Sequence, residues 1–215
     1  MSEVSRETPP APSAAAGVFS DRLDVAERYA ALLVGPGVDR GLLGPREAPR
    51  IWDRHLLNCA VIEELCPPGV TVADVGSGAG LPGLALAIAR PDLEVTLIEP
   101  LLRRCIFLEE AVEHLGLSGQ IEVVRSRAED LEHRSYERVT SRAVAPLGKL
   151  ARRCLPLLTP GGEVIAIKGS SASEELRKER AALARAGVTV AEVVEVGEGR
   201  VDTPTTVVRF GRGAR

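Results

Sequence analysis

The chain has 215 residues, 45% of them hydrophobic and 27% charged, which is the composition of a soluble globular protein with room for one well-buried domain. Its formal net charge is −3 and aromatic residues make up only 3%, so the chain as a whole is not a basic nucleic-acid-binding protein and its core must consist of Leu, Val, Ile and Ala. No apolar run is long enough to span a membrane and residues 1–20 lack a signal-peptide pattern, so we expect a cytoplasmic protein with no membrane partner.

The N-terminal third is predicted to be a tail followed by helices. Residues 1–19 are rich in Pro, Ala, Ser and Glu, and we predict a disordered tail there. From Ser20 onward, apolar residues recur at helical spacing at Leu23, Ala26, Ala30 and Leu33. A turn-rich connector, GPGVDRGLLGPREAP, then leads to a second predicted helix, IWDRHLLNCAVI. We therefore predict a helical extension over residues 20–66.

Strands and helices alternate over residues 67–215. Five segments have the Val/Ile-rich pattern of strands: VTVADVG, EVTLIEP, IEVVRSRAED, ERVTSRAV and GEVIAIKG. Four segments between or after them are predicted helices: LPGLALAIAR, LLRRCIFLEEAVEHLG, LGKLARRCLPLL and SEELRKERAALARAG. The last two strands, VTVAEVVEV and TTVVRF, have no room for a crossover helix and should pair antiparallel. The pattern predicts an α/β fold with a mostly parallel seven-stranded sheet, helices on both faces, and a single globular unit over residues 20–215.

A glycine-rich loop, DVGSGAGLPG, follows the first of these strands. Glycines at Gly76 and Gly78 let the backbone turn sharply and approach a ligand closely. Asp74 stands at the end of the strand, where a carboxylate can meet the ammonium of the methionine moiety of S-adenosylmethionine, directly or through water. Right-handed crossovers place such a ligand at the carboxyl ends of the strands.

Two alternatives to S-adenosylmethionine remain open for this loop. Residues 78–83 also fit the GxGxxG pattern of NAD-dependent oxidoreductases, and a glycine turn can serve packing alone. The charge of Asp74 would repel a pyrophosphate, and Pro82 has no amide hydrogen to offer one. Both features favour S-adenosylmethionine.

The ends of the next two strands carry further candidate ligand contacts. Glu99 can accept hydrogen bonds from both ribose hydroxyls, a role that either cofactor needs. After the third strand, Ala128 and Glu129 can contact the adenine edge, although the same RAED cluster could equally cap the following segment.

Arginines and cysteines complete the candidate site residues. Arginines cluster at residues 103–104, 125–127, 138–142 and 152–153, which allows a local basic face on an acidic chain. The four cysteines, at positions 59, 66, 105 and 154, form no CxxC pair and have no histidine at ligand spacing. We therefore expect free, partly buried thiols and no metal site.

Taken together, DVGSGAGLPG, the upstream RHLLN, the SRAED loop, TSRA and IKG resemble the ribosomal RNA small subunit methyltransferase G family, also called glucose-inhibited division protein B. The resemblance covers about residues 51–210. It implies a Rossmann-like S-adenosylmethionine-dependent methyltransferase fold and methylation of N7 of a guanine in the 530 loop of 16S rRNA. A different class, a non-catalytic regulator that binds cofactor and RNA, stays open.

The resemblance also implies roles for individual residues. The family's cofactor-contact positions fall on Gly76, Leu81, Ala128, Glu129 and Arg142. Three basic positions near the catalytic mouth fall on Arg127, Arg142 and Lys168. The implied partner is 16S rRNA within the small ribosomal subunit, bound by a monomer.

This chain departs from the family pattern at three places. The family commonly has an aromatic, asparagine-rich segment before the RH motif, where this chain has GPGVDRGLLGPREAP, so the resemblance does not extend to the N-terminal part of the RNA surface. The family often has Asp where this chain has Glu99, and Lys where it has Arg103. Both of these replacements keep the charge.

The residues fit an N7 methyl transfer chemically. Guanine N7 carries an in-plane lone pair and no proton, so attack on a sulfonium methyl needs no general base. A cation beside N7 would oppose the positive charge that develops on the ring. We therefore assign Arg142 and Lys168 to phosphate, guanine O6 or the cofactor carboxylate.

Overall fold

A seven-stranded sheet in the order β3-β2-β1-β4-β5-β7-β6 forms the centre of the protein. The structure is a computed structural model and describes residues 7–131, 133–142 and 145–213. The strands are β1 Thr71–Val75, β2 Glu94–Ile98, β3 Ile121–Val124, β4 Tyr136–Arg142, β5 Leu158–Ile167, β6 Val190–Val196 and β7 Thr205–Gly211. Strands β1 to β5 pair in parallel, and β7 runs antiparallel to both β5 and β6. The predicted fold class is confirmed.

The helices of the alternating region have the predicted order, with shorter bounds. They are α4 Gly83–Ala89, α5 Leu102–Leu115, α6 Leu147–Cys154 and α7 Ala172–Ala186. Helix α5 is followed by Gly116, whose φ of 72° lies in the left-handed region typical of a helix C-terminus. The parallel strands are thus linked mostly by crossover helices, which brings their carboxyl ends to one edge of the sheet.

The sheet has a hydrophobic core on each face. On one face, Val72, Val95 and Leu97 pack with α4, α5 and the N-terminal helices. On the other face, Ala73 and Val75 pack with α6 and α7. Side chains of neighbouring residues in a strand point to opposite faces, so the continuous apolar runs of β1 and β2 fill both cores.

The predicted disordered tail over residues 1–19 is corrected in its last part, which is helical. Helix α1 spans Ser13–Phe19 and buries Ala15, Val18 and Phe19. The Phe19 ring lies edge-on to Trp52 with 6.4 Å between centroids, and Trp52 Nε1 donates to the Pro9 carbonyl at 2.8 Å. The short SAAAGVF segment is therefore held by packing against later residues; residues 1–6 lie outside the described part.

The helical extension packs on the same core as the sheet. Helix α2 spans Leu23–Leu32 after a 3₁₀ turn, Ser20–Arg22, and continues into a π-helical turn, Leu33–Gly37. The second predicted helix is a π-helical turn, Ile51–Leu57, followed by α3, Asn58–Ala60, and a 3₁₀ turn, Val61–Leu65. This segment lies beside the carboxyl edge of the sheet, where the candidate site is found.

Candidate functional site

The glycine-rich loop between β1 and α4, residues 76–83, adopts a conformation that requires glycine. Gly76, Gly78 and Gly80 have φ values of 76°, 60° and 96°, all in the left-handed region. A Cβ on Gly80 would also lie 2.9 Å from the Tyr29 hydroxyl, which donates to the Ala79 carbonyl at 2.9 Å. The N-terminal extension therefore supports the loop through Tyr29, a residue that the sequence pattern did not single out.

Four amides of this loop donate hydrogen bonds within the protein. Gly78 N–H donates to Glu99 Oε2 at 3.1 Å, Gly80 and Leu81 N–H donate to the Ser77 carbonyl at 2.7 and 3.1 Å, and Gly83 N–H donates to Asp74 Oδ2 at 3.0 Å. Pro82 has no N–H to add. A dinucleotide pyrophosphate needs a row of free amides at such a loop, and these amides are not free.

Asp74 lies beneath the loop. Its side chain is fully buried, it lines neither of the cavities described below, and its Oδ1 atom has no hydrogen-bond partner among the described residues. Burial raises the pKa of this carboxyl to about 7, although the hydrogen bond from Gly83 lowers it. Contact of Asp74 with a ligand ammonium, directly or through water, stays a prediction.

Two cavities meet at the carboxyl edge of the sheet. Cavity I, about 570 Å³, lies between the loop, the turn Ile51–Leu57 and the ends of β4 and β5. Cavity II, about 590 Å³, lies between the ends of β1, β2 and β3. They share Gly76, Arg104 and Arg142 in their linings. Together they form one elongated site with Arg142 at the junction.

Most of the predicted site residues line these cavities. Cavity I is lined by Gly76, Gly78, Leu81, Arg142 and Lys168. Cavity II is lined by Gly76, Glu99, Arg127, Ala128, Glu129 and Arg142. The sequence-predicted set is thus brought together, with Asp74 as the exception.

Glu99 is fixed in the wall of cavity II. Its side chain is 2% exposed, its Oε1 accepts a hydrogen bond from Leu101 N–H at 3.0 Å, and Arg104 Nη1 lies 3.4 Å from Oε2. With the bond from Gly78, the carboxylate ties the end of β2 to the glycine loop. A carboxylate so held is preorganised to accept hydrogen bonds from a ligand's hydroxyl groups.

The segment after β3 forms the far end of cavity II. Ala128–Asp130 is a 3₁₀ turn in which Ala128 is buried and no side chain caps the start of the turn. Glu129 Oε1 accepts a hydrogen bond from Arg153 Nε at 2.7 Å. Of the two roles that the sequence left open for this cluster, a side-chain cap is absent here, and the adenine contact stays a prediction.

The two basic residues of cavity I have specific partners. Arg142, the last residue of β4, donates from Nη1 to His55 Nδ1 at 3.1 Å, and Nη1 lies 3.5 Å from the Arg54 carbonyl. Lys168 Nζ donates to Glu175 Oε1 at 2.9 Å and to the Ala145 carbonyl at 3.0 Å. Lys168 is therefore partly neutralised, whereas Arg142 faces a ring nitrogen and a carbonyl.

Two neighbouring arginines of α5 differ in their placement. Arg103 is exposed on α5 and lines neither cavity, whereas its neighbour Arg104 lines both and reaches Glu99. Successive residues of a helix point about 100° apart, so one of the pair turns inward and the other outward. Arg127 is exposed at the rim of cavity II, and its guanidinium has no hydrogen bond or ion pair within the described residues.

The remaining predicted features concern metals and membranes. All four cysteines are buried free thiols. Within residues 7–131, 133–142 and 145–213, no group of three His, Cys, Asp or Glu side chains could hold a metal ion, and no helix is long and apolar enough to cross a membrane.

Comparisons with known proteins show the family and the fold of this chain. The family profile described as rRNA small subunit methyltransferase G matches residues 22–203. The chain is 56% identical to the ribosomal RNA small subunit methyltransferase G of Salinispora tropica, over 97% of this chain and 90% of the relative. It is 58% identical to the protein of the same name from Mycolicibacterium gilvum, over 94% and 90%. Among solved structures, the S-adenosylmethionine-dependent methyltransferase SibL superposes with a TM-score of 0.62 at 17% identity, over 94% of this chain and 70% of that one, which is a likeness of fold.

Proposed function

Because this chain belongs to the rRNA small subunit methyltransferase G family, we propose that it transfers the methyl group of S-adenosylmethionine to N7 of a guanine in the 530 loop of 16S rRNA. The single observation that carries the proposal is the match over nearly the whole chain to relatives whose name gives small-subunit rRNA as the substrate. The choice of N7 and of the 530 loop rests on the motifs DVGSGAGLPG and SRAED that this chain has in common with the family.

The protein is an S-adenosylmethionine-dependent methyltransferase, and its residues fit this cofactor. Cavity II has a buried carboxylate, Glu99, in its wall and the Ala128–Asp130 turn at its far end, which suits a ribose and an adenine. Cavity I continues past Gly76 to Arg142, which suits an amino acid carboxylate. The loop amides argue against a dinucleotide, since none of the four named above is left to hold a pyrophosphate.

The cofactor supplies an electrophilic methyl group on a sulfonium. The part of the protein is to bind and align, because guanine N7 attacks with its own lone pair and loses no proton. Alignment of this kind can lower a barrier by about 7–11 kcal/mol. Arg142 and Lys168 border cavity I, where they would hold phosphate, guanine O6 or the cofactor carboxylate. A small ribosomal subunit as substrate, a monomeric enzyme and a cytoplasmic location complete the proposal.

The test is methyl transfer to small ribosomal subunits that lack the modification. The protein is incubated with S-adenosylmethionine and these subunits, and borohydride–aniline treatment then converts N7-methylguanine into a strand break. A break in the 530 loop is expected. Absence of the break would reject the assignment, and a methyl group found on a base amine or a ribose would keep the enzyme class and reject the N7 target.

The same incubation separates the enzyme from the non-catalytic regulator that the sequence left open, when S-adenosylhomocysteine is measured. A regulator would bind S-adenosylmethionine and subunits without producing S-adenosylhomocysteine.

The pH dependence of the rate tests the chemistry. An enzyme that needs no general base should show no essential ionisation near neutral pH beyond those of substrate binding. A bell-shaped rate profile centred near neutrality would contradict the proposed chemistry.

A further inference from the structure

Three side chains form a hydrogen-bonded row along cavity I. Glu47 Oε2 lies 2.8 Å from His55 Nε2, and His55 Nδ1 lies 3.1 Å from Arg142 Nη1. His55 is 6% exposed and sits between its two partners. All three residues line the cavity, but only Arg142 also lines cavity II. The row therefore ends at the junction of the site.

The chemistry of the three groups fixes the protonation of the ring. A guanidinium has only donors, so the nitrogen that faces Arg142 must be the acceptor and carries no hydrogen. Nδ1 is thus unprotonated, Nε2 carries the hydrogen, and Glu47 accepts it as a carboxylate. The imidazole in this arrangement is neutral.

The electrostatics agree with that assignment. Burial lowers the pKa of His55, and the nearby charges of Arg142 and Arg54 lower it further against the opposing effect of Glu47. The hydrogen bond with His55 lowers the pKa of Glu47, which keeps it ionised. The titratable and charged groups facing His55 are Glu47, Arg54 and Arg142, from the connector, the Ile51–Leu57 turn and β4.

We propose that His55 is a positioning residue: held by Glu47, its neutral ring orients the guanidinium of Arg142 where the two cavities meet, and cofactor affinity depends on that orientation. The inference rests on the proposed function, because it assumes that this junction binds S-adenosylmethionine. Protonation of His55 would put a hydrogen and a positive charge against the guanidinium. Binding should therefore weaken as pH falls below the usual range of histidine.

Two substitutions test the two ring nitrogens of His55 one at a time. His55→Asn keeps an acceptor near the Nδ1 position and removes the group that reaches Glu47, whereas His55→Gln keeps a donor near the Nε2 position and removes the acceptor for Arg142. Calorimetry with S-adenosylhomocysteine should show affinity falling about 10- to 100-fold in His55→Gln, as expected for a lost hydrogen bond to a charged group, and less in His55→Asn. Thermal unfolding checks that both variants fold.

Two further readouts distinguish positioning from a merely structural role. In an Arg142→Ala background, His55→Gln should cause no additional loss, because the group that it orients is gone. The fall in wild-type affinity at acidic pH should be smaller in His55→Asn, which has no ring to protonate.

The outcomes separate this inference from the proposed function. Wild-type affinity in His55→Gln, or a loss that adds in full to that of Arg142→Ala, overturns the inference while leaving the proposed function intact. A wild-type protein that binds no S-adenosylhomocysteine overturns both. Calorimetry needs no RNA. A protein that binds S-adenosylhomocysteine but does not methylate subunits would therefore count against the proposed function and not against this inference.

Discussion

The carboxylate of Glu99, at the end of β2, accepts a hydrogen bond from the backbone N–H of Gly78 in the loop that follows β1, with 3.1 Å between Oε2 and the amide nitrogen. Two neighbouring strands of the sheet are thereby joined through their carboxyl ends. Because the same carboxylate lines cavity II, it both shapes the loop and presents oxygens to a ligand.

Glu99→Gln should weaken cofactor binding more than it weakens the fold. The substitution keeps the shape but removes the charge behind the hydrogen bonds, so we expect a loss of about 1.5–3 kcal/mol in the binding free energy of S-adenosylhomocysteine by calorimetry. Glu113→Gln, on the exposed last turn of α5, changes the net charge equally and should bind like the wild type. Equal affinities of the two variants for S-adenosylhomocysteine would show that Glu99 does not contribute to cofactor binding.

The buried carboxyl of Asp74 should make stability depend on pH. Its pKa in the folded protein, about 7, is above the unfolded value near 4, so the folded state keeps the proton up to a higher pH than the unfolded state does. The contribution of Asp74 to the free energy of unfolding is complete below about pH 4 and falls by about 1.4 kcal/mol per pH unit as the pH rises towards 7. Asp74→Asn has no such ionisation.

Urea unfolding of wild type and Asp74→Asn at a series of pH values measures this effect. The variant should gain stability relative to the wild type as pH rises from about 4 to 7, and the difference should be constant at higher pH. A difference that does not change with pH would mean that Asp74 is not buried as described. Bound cofactor is left out of these measurements, because it would stabilise the two proteins differently.

Gly83, the first residue of α4, has no room for a side chain. A Cβ there would lie 2.4 Å from Leu97 Cδ2 and 2.8 Å from Asp74 Oδ2. Gly83→Ala should therefore lower the free energy of unfolding by about 1–3 kcal/mol, as overpacking does, and loosen the loop. Gly17→Ala is the matched control, because a Cβ on Gly17 of α1 would meet no heavy atom beyond its own helix within 4 Å, and alanine there should stabilise by up to about 1 kcal/mol. Equal effects on urea unfolding would contradict this packing.

The alternation of strands and helices was predictable because hydrophobic residues recur with a different period in a strand and in a helix. Strand β5 differs in its start: it begins at Leu158, although the sequence from Thr159 to Gly162 is typical of a turn. Tyr136 of β4 pairs with Leu158, and the register then shifts before Arg138, so an irregular segment is kept in the sheet by its neighbour. Pairing between distant segments overrides local turn chemistry there. Helix α1 was not predicted for the same reason, since its burial depends on residues such as Trp52.

The site was predictable where it depends on strand ends and not where it depends on the connector. Glu99 and Arg142 end β2 and β4, or follow them directly, so parallel topology alone brings them to one edge. Glu47 lies in a segment without periodicity, and its contact with His55 follows from the path of that segment in space. The only sequence signal for this contact was the RH motif, in which His55 follows an arginine.

Binding of the RNA substrate should depend on an unpaired cation at the rim of cavity II. Because the chain carries a net charge of −3, attraction to phosphate must come from local groups, and the Arg127 guanidinium is exposed and unpaired among the described residues. Each phosphate contact releases counterions, so affinity for unmodified small subunits should fall steeply between about 50 and 200 mM salt. Arg127→Ala should lower affinity and reduce the slope of log affinity against log salt by about 1.

Arg134→Ala is the matched control for Arg127→Ala, because it also removes one positive charge. Arg134 pairs with the exposed Glu122 and lies before β4, at the opposite edge of the sheet. Filter binding across the salt series measures both slopes. A salt-independent affinity, or equal slopes for Arg127→Ala and wild type, would show that RNA does not contact this rim.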